Sequence, residues 1–171
     1  MATTYEAIAT VTVGSGGAAE IEFTSIAADW TDLLVKISGR NTTTEAGINF
    51  TGIRMYPNGS TTSITSRTLY GTGSAAASDT DINATGGVVT SSNATASTFG
   101  NSEVYIPNYA GSANKSWSTD AVSENNATAA IQLIKANLWS NTAAITSLTF
   151  NLVTGNFAEH STATLYGIKN T

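Results

Sequence analysis

Hydrophobic and polar residues alternate one by one along most of the chain, and a period of two predicts β-strands. Ala19, Ile21 and Phe23 share one strand face, whereas Glu20 and Glu22 share the opposite, solvated face. The same pattern predicts strands near residues 5–13, 33–39, 48–56, 63–70, 104–106, 117–121, 148–152 and 160–168. About eight to ten short strands with little or no helix indicate an all-β fold, a two-sheet antiparallel sandwich with a jelly roll as the leading candidate.

Two segments do not follow the simple alternation of a strand. Pro57-Asn58-Gly59-Ser60 is a strong turn signal, which predicts a hairpin joining strands 48–56 and 63–70. Residues 127–139 are ambiguous, because Ile131, Ile134 and Leu138 fit a helix while Ile131 and Leu133 fit a strand. The β-rich surroundings favour the strand.

Residues 71–99 are mostly Ala, Ser, Thr, Gly and Asn, with Ile82, Val88 and Val89 as the only large aliphatic residues. This segment is too long for an ordinary connection within a compact domain. It is predicted to be an extended excursion with one short strand, and the region that contacts a partner or is mobile. No linker or change of composition divides the chain, so residues 1–171 are expected to form a single β-sandwich domain.

Composition narrows the range of functions. Charged residues are 11% of the 171 residues, against about 25% in an average domain, and the 41% hydrophobic content argues against disorder. The net charge is −5 with only seven thinly spread Lys and Arg residues, so nucleic-acid binding is not expected. No apolar run approaches the length of about 18 residues of a membrane span, and no basic cluster suits a membrane surface.

The lack of cysteine leaves the redox compartment open. The N-terminal residues show no secretory signal, so we expect synthesis and folding in a cytosol.

The residues of this chain do not suggest an enzyme. His160 is the one histidine, and its neighbours Glu159 and Ser161 lie next to it along a predicted strand. Adjacent strand residues point to opposite faces, so these three cannot form a triad among themselves. No nucleophile-elbow motif is present, and zinc lacks its usual ligands. No catalytic residue, cofactor or metal is therefore predicted.

Asp79, Asp81 and Asn83 have the i, i+2, i+4 spacing of a calcium loop. The rest of that motif fails, because its sixth position is Ala84 rather than Gly and its twelfth is Thr90 rather than Glu. A polar loop is the favoured interpretation. A calcium-dependent, lectin-like module is kept as a third hypothesis.

Aromatic residues provide a binding hypothesis, since they can stack on sugar rings as well as pack in a core. Trp139 follows an apolar segment and is expected to be buried. Trp117 lies between Ser116 and Ser118 and is expected to be exposed. Trp117, Tyr109, Asp79 and Asp81 are the candidate contacts for a partner or a glycan, although ordinary packing is the favoured role of the aromatic residues.

The order of these features resembles a known family. It is carried by segments 23–26, 29–40, 53–59, 103–109 and 163–169, with sequences FTSI, DWTDLLVKISGR, IRMYPNG, EVYIPNY and ATLYGIK. They resemble the small jelly-roll virion proteins of tailed bacteriophages, which are capsid decoration (cement) proteins or distal parts of tail or head fibres.

The resemblance implies a virion component that is not an enzyme, is commonly trimeric, and binds other proteins or a host glycan. The chain shows no stalk, coiled coil or repetitive shaft, which favours decoration over a fibre. We therefore expect a homotrimer on the capsid surface, bound to the major capsid protein. The alternative is a receptor- or carbohydrate-binding module of a phage tail or head fibre.

Overall fold

The strands of this protein form two antiparallel sheets. The computed structural model describes residues 4–45, 48–124, 126 and 130–169. Its strands are β1 (Tyr5–Thr12), β2 (Glu20–Phe23), β3 (Asp32–Gly39), β4 (Phe50–Pro57), β5 (Ile64–Gly71), β6 (Ala76–Asp79), β7 (Gly87–Thr90), β8 (Gly100–Pro107), β9 (Lys115–Ser123), β10 (Ile131–Trp139), β11 (Leu148–Leu152) and β12 (Thr162–Ile168). A short 3₁₀ helix, Ile82–Ala84, lies between β6 and β7.

Eight of the strands make a jelly roll. The ladders β1–β12, β2–β11, β3–β8 and β4–β7 are all antiparallel and nested inside one another along the chain. This pairing is that of one long hairpin folded over into two facing sheets. The strand orders of the two sheets are β1-β12-β3-β8 and β2-β11-β4-β7. This arrangement confirms the predicted all-β sandwich and its jelly-roll topology.

The other four strands enlarge one sheet only. Strands β9, β10, β5 and β6 continue it beyond β8, which gives the order β1-β12-β3-β8-β9-β10-β5-β6. We call these four strands the extension. They come from two insertions in the jelly roll, one between β4 and β7 and one between β8 and β11.

The strands before and after residues 57–60 do not pair with each other, so the predicted hairpin is wrong. The turn itself forms, with the N–H of Ser60 donating to the carbonyl of Pro57 at 2.9 Å and positive φ angles at Asn58 and Gly59. However, β4 belongs to the smaller sheet and β5 to the larger one. The Asn58 side chain binds the segment 144–147, so the turn is anchored beside β11 and directs the chain from one sheet to the other.

Residues 71–99 are more ordered than the sequence predicts. They contain two strands and the 3₁₀ helix, and β7 is buried along its whole length as the fifth strand of the jelly roll. The following loop is held by Arg40, whose guanidinium donates to the carbonyls of Ser92, Ala94, Thr95 and Thr98 at 2.8 to 3.1 Å. Small side chains allow this close packing in a segment that the sequence predicts to be an extended excursion, one that contacts a partner or is mobile.

The core lies between the two sheets and is divided in two. The larger cluster fills the jelly roll and includes Phe23, Val35, Ile53 and Phe150. A smaller cluster lies beneath the extension, with Val88, Ala121, Ile131 and Leu133 buried and Phe50, Tyr70 and Ala84 packed against them.

The segment 127–139, whose sequence fits a helix or a strand, is a strand from residue 131 onwards, as favoured. Residues 127–129 lie outside the described part. Strand β12 lies between β1 and β3, one strand in from the edge of the larger sheet.

Gly87 allows β7 to approach the larger sheet. Its φ is 106°, and a Cβ there would overlap the Ser102 hydroxyl, which itself bonds both the N–H and the carbonyl of Val88. Gly16 has a similar φ of 97°, but no atom lies within 4 Å of the position that a Cβ would take there. The two glycines therefore share a backbone constraint and differ in packing.

We predict that Gly87→Ala destabilises the protein more than Gly16→Ala. The backbone conformation should cost each variant about 1 to 2 kcal/mol, and overpacking should cost Gly87→Ala about 1 to 3 kcal/mol more. Urea unfolding of both variants measures the difference. Equal losses would contradict the close contact between β7 and β8.

Candidate functional site

The two aromatic candidates are core residues. Trp117 is 2% exposed, and its indole N–H donates to the carbonyl of Thr85 at 2.9 Å. The prediction that Trp117 is exposed is therefore wrong. Its flanking serines are polar, but they occupy the outer face of β9, so Trp117 points inward with Thr119 and Ala121. Trp139 is buried, as predicted.

Tyr109 is also fully buried. Its hydroxyl donates to the carbonyl of Ala27 and accepts from the N–H of Trp30 at 3.4 Å. Burial raises the pKa of Tyr109 above its ordinary value, which keeps the hydroxyl protonated and able to donate. Tyr109 thus fastens the 27–30 loop to the core and does not offer a surface for a glycan.

Asp79 and Asp81, by contrast, lie at a pocket of about 340 Å³. The pocket is located where the extension faces the β4–β7 side of the smaller sheet, and we call it the extension pocket. Its walls combine a mostly apolar base with polar groups. The apolar contributors include Phe50, Tyr70, Val88, Ile131 and Leu133. Pockets of this size and composition are typical of small-molecule sites.

Lys135 supplies a buried cation to this pocket. Its side chain comes from β10 and is 5% exposed, and its ammonium group donates to the carbonyl oxygen of Asp81 at 2.8 Å. Burial lowers the pKa of Lys135, while the charges of Asp81 and Asp79 act in the opposite direction. The two carboxylates and the ammonium group therefore form one electrostatic cluster.

The carboxylates are positioned by their own loop. One oxygen of Asp79 accepts from the N–H of Thr80 at 2.5 Å, and one oxygen of Asp81 caps the 3₁₀ helix by accepting from the N–H of Asn83 at 2.9 Å. The second oxygen of each accepts no hydrogen bond from the described residues. Each carboxylate is thus fixed at one oxygen and has the other available.

The calcium spacing has a different structural role. The side-chain oxygen of Asn83 accepts two bonds from the Arg54 guanidinium, at 2.9 and 2.7 Å. One of the three oxygens that a calcium loop would use is therefore already bound to a cationic side chain. In the part of the chain that the structure describes, no three His, Cys, Asp or Glu side chains converge as a metal site.

Thr68 is the pocket residue that sequence reasoning missed. It lines the pocket from β5, is 8% exposed, and its hydroxyl has no hydrogen-bond partner among the described residues. A buried hydroxyl without a partner is costly to the folded state. In the sequence, Thr68 is only one of many threonines in strands.

A second surface feature is the contrast between the two outer faces. Six of the eight exposed large hydrophobic residues found in the described chain lie on the strands of the larger sheet. They are Tyr5, Ile8, Leu69, Tyr105, Ile134 and Leu138. Leu69 and Ile134 are directly opposite each other on β5 and β10. The smaller sheet instead exposes Glu20 and Glu22, as predicted.

No protein-family model, curated protein or solved structure matches this chain. Within the described residues, no helix is long and apolar enough to cross a membrane.

We predict that the lysines titrate in a defined order. Burial lowers the pKa of Lys135 and of Lys115, whereas the hydrogen bond with Glu103 raises the pKa of Lys36. The ¹³Cε resonances should therefore show Lys135 and Lys115 losing their protons at lower pH than Lys36. Between its folded and unfolded pKa values, Lys135 binds fewer protons in the folded state, so its contribution to stability rises with pH. Titration of Lys135 at or above the pH of Lys36 would contradict the buried geometry.

Proposed function

We propose that this chain is a structural protein of a bacteriophage particle, a decoration protein that binds the outer capsid surface and stabilises the joints between coat subunits. The resemblance to small jelly-roll virion proteins supports this role. So does the fold, because a jelly roll of few charges presents broad sheet faces and edges to other proteins.

One observation supports this role above the others: most of the exposed large hydrophobic side chains among the described residues lie on the strands of the larger sheet. Leu69 and Ile134 are 55% and 52% exposed and lie directly opposite each other, so they form an apolar patch across β5 and β10. We call it the outer patch. Complete burial of a fully exposed aliphatic side chain gains about 1.5 to 3 kcal/mol, so covering these half-exposed side chains gains roughly half of that each. The charged outer face of β2 on the smaller sheet would then remain in water.

Self-association is proposed through the sheet edge at β1. Strand β1 is eight residues long, and all of them are exposed except the partly buried Val11. It pairs with β12 on one side only. A long open edge is a template for another strand, so we propose that copies of this chain assemble there, as a homotrimer. Several capsid contacts per assembly would add avidity.

The second candidate is a receptor- or carbohydrate-binding module of a phage tail or head fibre. Trp117 does not support it, because this side chain is buried. The extension pocket does, since Asp79 and Asp81 combine there with Tyr70 and Lys135. The two roles predict different abundances in the particle.

We predict that this chain is present in hundreds of copies per particle, in a simple ratio to the major coat protein. Quantitative mass spectrometry of purified particles measures this ratio directly. A handful of copies would move the protein to the tail or a fibre and favour the second candidate. Absence of the chain from particles would exclude both virion roles.

We also predict that Leu69→Thr/Ile134→Thr weakens binding to capsids that lack the protein. Loss of two aliphatic contacts should reduce affinity about 10-fold, because covering each half-exposed side chain contributes about 0.7 to 1.5 kcal/mol. Co-sedimentation with capsids measures the affinity. Ile82→Thr is the matched control, since Ile82 is 47% exposed but lies in the 3₁₀ helix, away from the outer patch. Equal binding by the double variant and the wild type would exclude the outer patch as the interface.

A further inference from the structure

We propose that copies of this chain exchange β1, so that the β1 strand of one copy pairs with β12 of the next copy. This inference rests on the proposed self-association at β1 and names the way in which it occurs. The edge of β12 receives the same sequence in either case, and the ladder within one copy shows that β1 fits there. Only the copy that supplies the strand differs.

The proposed homotrimer requires a contact between two different surfaces. If two β1 edges paired directly, both copies would use the same surface, and such an isologous contact closes as a two-fold dimer. A donated strand and the β12 edge that receives it are different surfaces, so their contact is head-to-tail and can close as a ring of three. The β1 edge is also interrupted, because its register shifts between Ala7 and Ala9, and irregularities of this kind hinder pairing with a further strand.

Strand β1 buries little surface in its own copy. Ala9 lies opposite Leu165, and Val11 lies opposite Ala163. Leu165 and Ala163 are buried, whereas Ala9 is exposed and Val11 is only partly buried. The smaller sheet therefore leaves most of the inner face of β1 uncovered. Release of β1 exposes little apolar surface and mainly breaks the hydrogen bonds of one ladder, so it is an opening of low free energy.

The segment Gly14-Ser15-Gly16, which joins β1 to all later strands, has the properties of a hinge. Its three residues are exposed. No atom of the described residues lies within 4 Å of the position that a Cβ would take at Gly14 or Gly16. Glycine also adopts more backbone conformations than other residues. The segment can therefore change direction without displacing its neighbours.

The chain is anchored on both sides of this hinge. The N–H of Val13 donates to the carbonyl of Ser161 at 2.8 Å, and the N–H of Ala18 donates to the carbonyl of Phe157 at 2.9 Å. From Val13 to Gly17 an extended chain spans at most about 14 Å. A donated Val13 must therefore lie within that distance of Gly17 in its own copy, which brings neighbouring copies together near the start of β12.

The contacts of β1 recur in the exchanged form. The hydroxyl groups of Thr10 and Thr164 form a hydrogen bond of 3.0 Å, and the rings of Tyr5 and Tyr166 stack with their centroids 4.9 Å apart. Both contacts form equally well between two copies, because the strands are the same. Exchange of an identical element is for this reason a low-cost route to an oligomer.

A disulfide across the ladder tests the proposal. Thr10 and Thr164 lie directly opposite each other, which suits the geometry of a disulfide, and the chain has no cysteine of its own. After oxidation of Thr10→Cys/Thr164→Cys, we expect covalent species of two and three chains on a denaturing gel. A reductant should convert them to single chains.

Ser118→Cys/Ala136→Cys is the matched control. Ser118 and Ala136 are exposed and lie opposite each other on β9 and β10, and both strands stay in one copy. This variant should run as single chains after the same oxidation. An equal share of linked chains in both double variants would show that the links arise from random collisions, and would overturn the exchange.

Two single variants distinguish exchange from direct pairing of β1 edges. We expect Thr10→Cys and Thr164→Cys, unfolded in urea and refolded together, to form a disulfide that joins one chain of each variant. Disulfides of Thr10→Cys with itself, in place of this mixed bond, would show that two β1 strands meet each other and would overturn the exchange.

Light scattering of the native protein separates this proposal from self-association itself. Trimers whose Thr10→Cys/Thr164→Cys disulfides all lie within single chains would overturn the exchange and leave the proposed assembly intact. Monomers would overturn both. Dimers with disulfides between their chains would support the exchange and contradict the trimer.

Discussion

The loops of this protein depend on cations that bind backbone carbonyl groups. The backbone polar groups of loops that lie outside the sheets must find hydrogen-bond partners other than neighbouring strands. Arg40 does so for four carbonyls in segment 92–98, and the buried Lys115 does so for Gly111, Ala113 and Thr142. Lys135 holds the loop at Asp81 in the same manner. The chain has few charged residues, and these three cations stabilise its loops.

The extension provides two of the candidate binding surfaces of this protein. A bare eight-stranded roll would end at β8 on this side. The four added strands present an outer face with Leu69 and Ile134 and an inner face with Thr68 and Lys135. Because alternate residues of a strand point to opposite faces, one pair of strands supplies an apolar surface and a polar pocket at once. The Lys135 contact to Asp81 links the pocket to the loop that closes it.

Much of the fold was predictable because alternation along a strand depends only on local sequence. The inner faces of β2, β11 and β12 follow directly from that pattern. The partner of a strand does not, and the turn at 57–60 shows this: its residues fix the reversal, whereas Asn58 contacts to 144–147 fix the sheet. The burial of Trp117 was not predicted, because the serines on both sides of it do not indicate which face of β9 is buried.

Only the loop residues of the candidate site could be predicted from the sequence, because the others come from separate strands. Asp79 and Asp81 are neighbours in one loop, so their spacing alone drew attention to them. Thr68 and Lys135 come from β5 and β10, and they meet the carboxylates only through the pairing of those strands in the extension. A site assembled from separate strands leaves no motif, and only burial identified its members.

The nested pairing of the jelly roll also fixes the order in which the chain can fold during its synthesis. Strand β1 has its ladder with β12, and β2 has its ladder with β11. At about 5 to 20 residues per second, the ribosome needs roughly 8 to 30 s to reach β12 after completing β1. The first strands therefore remain without their native partner strands during this time. These strands must avoid pairing with other chains during that interval, a requirement that the folded structure alone does not show.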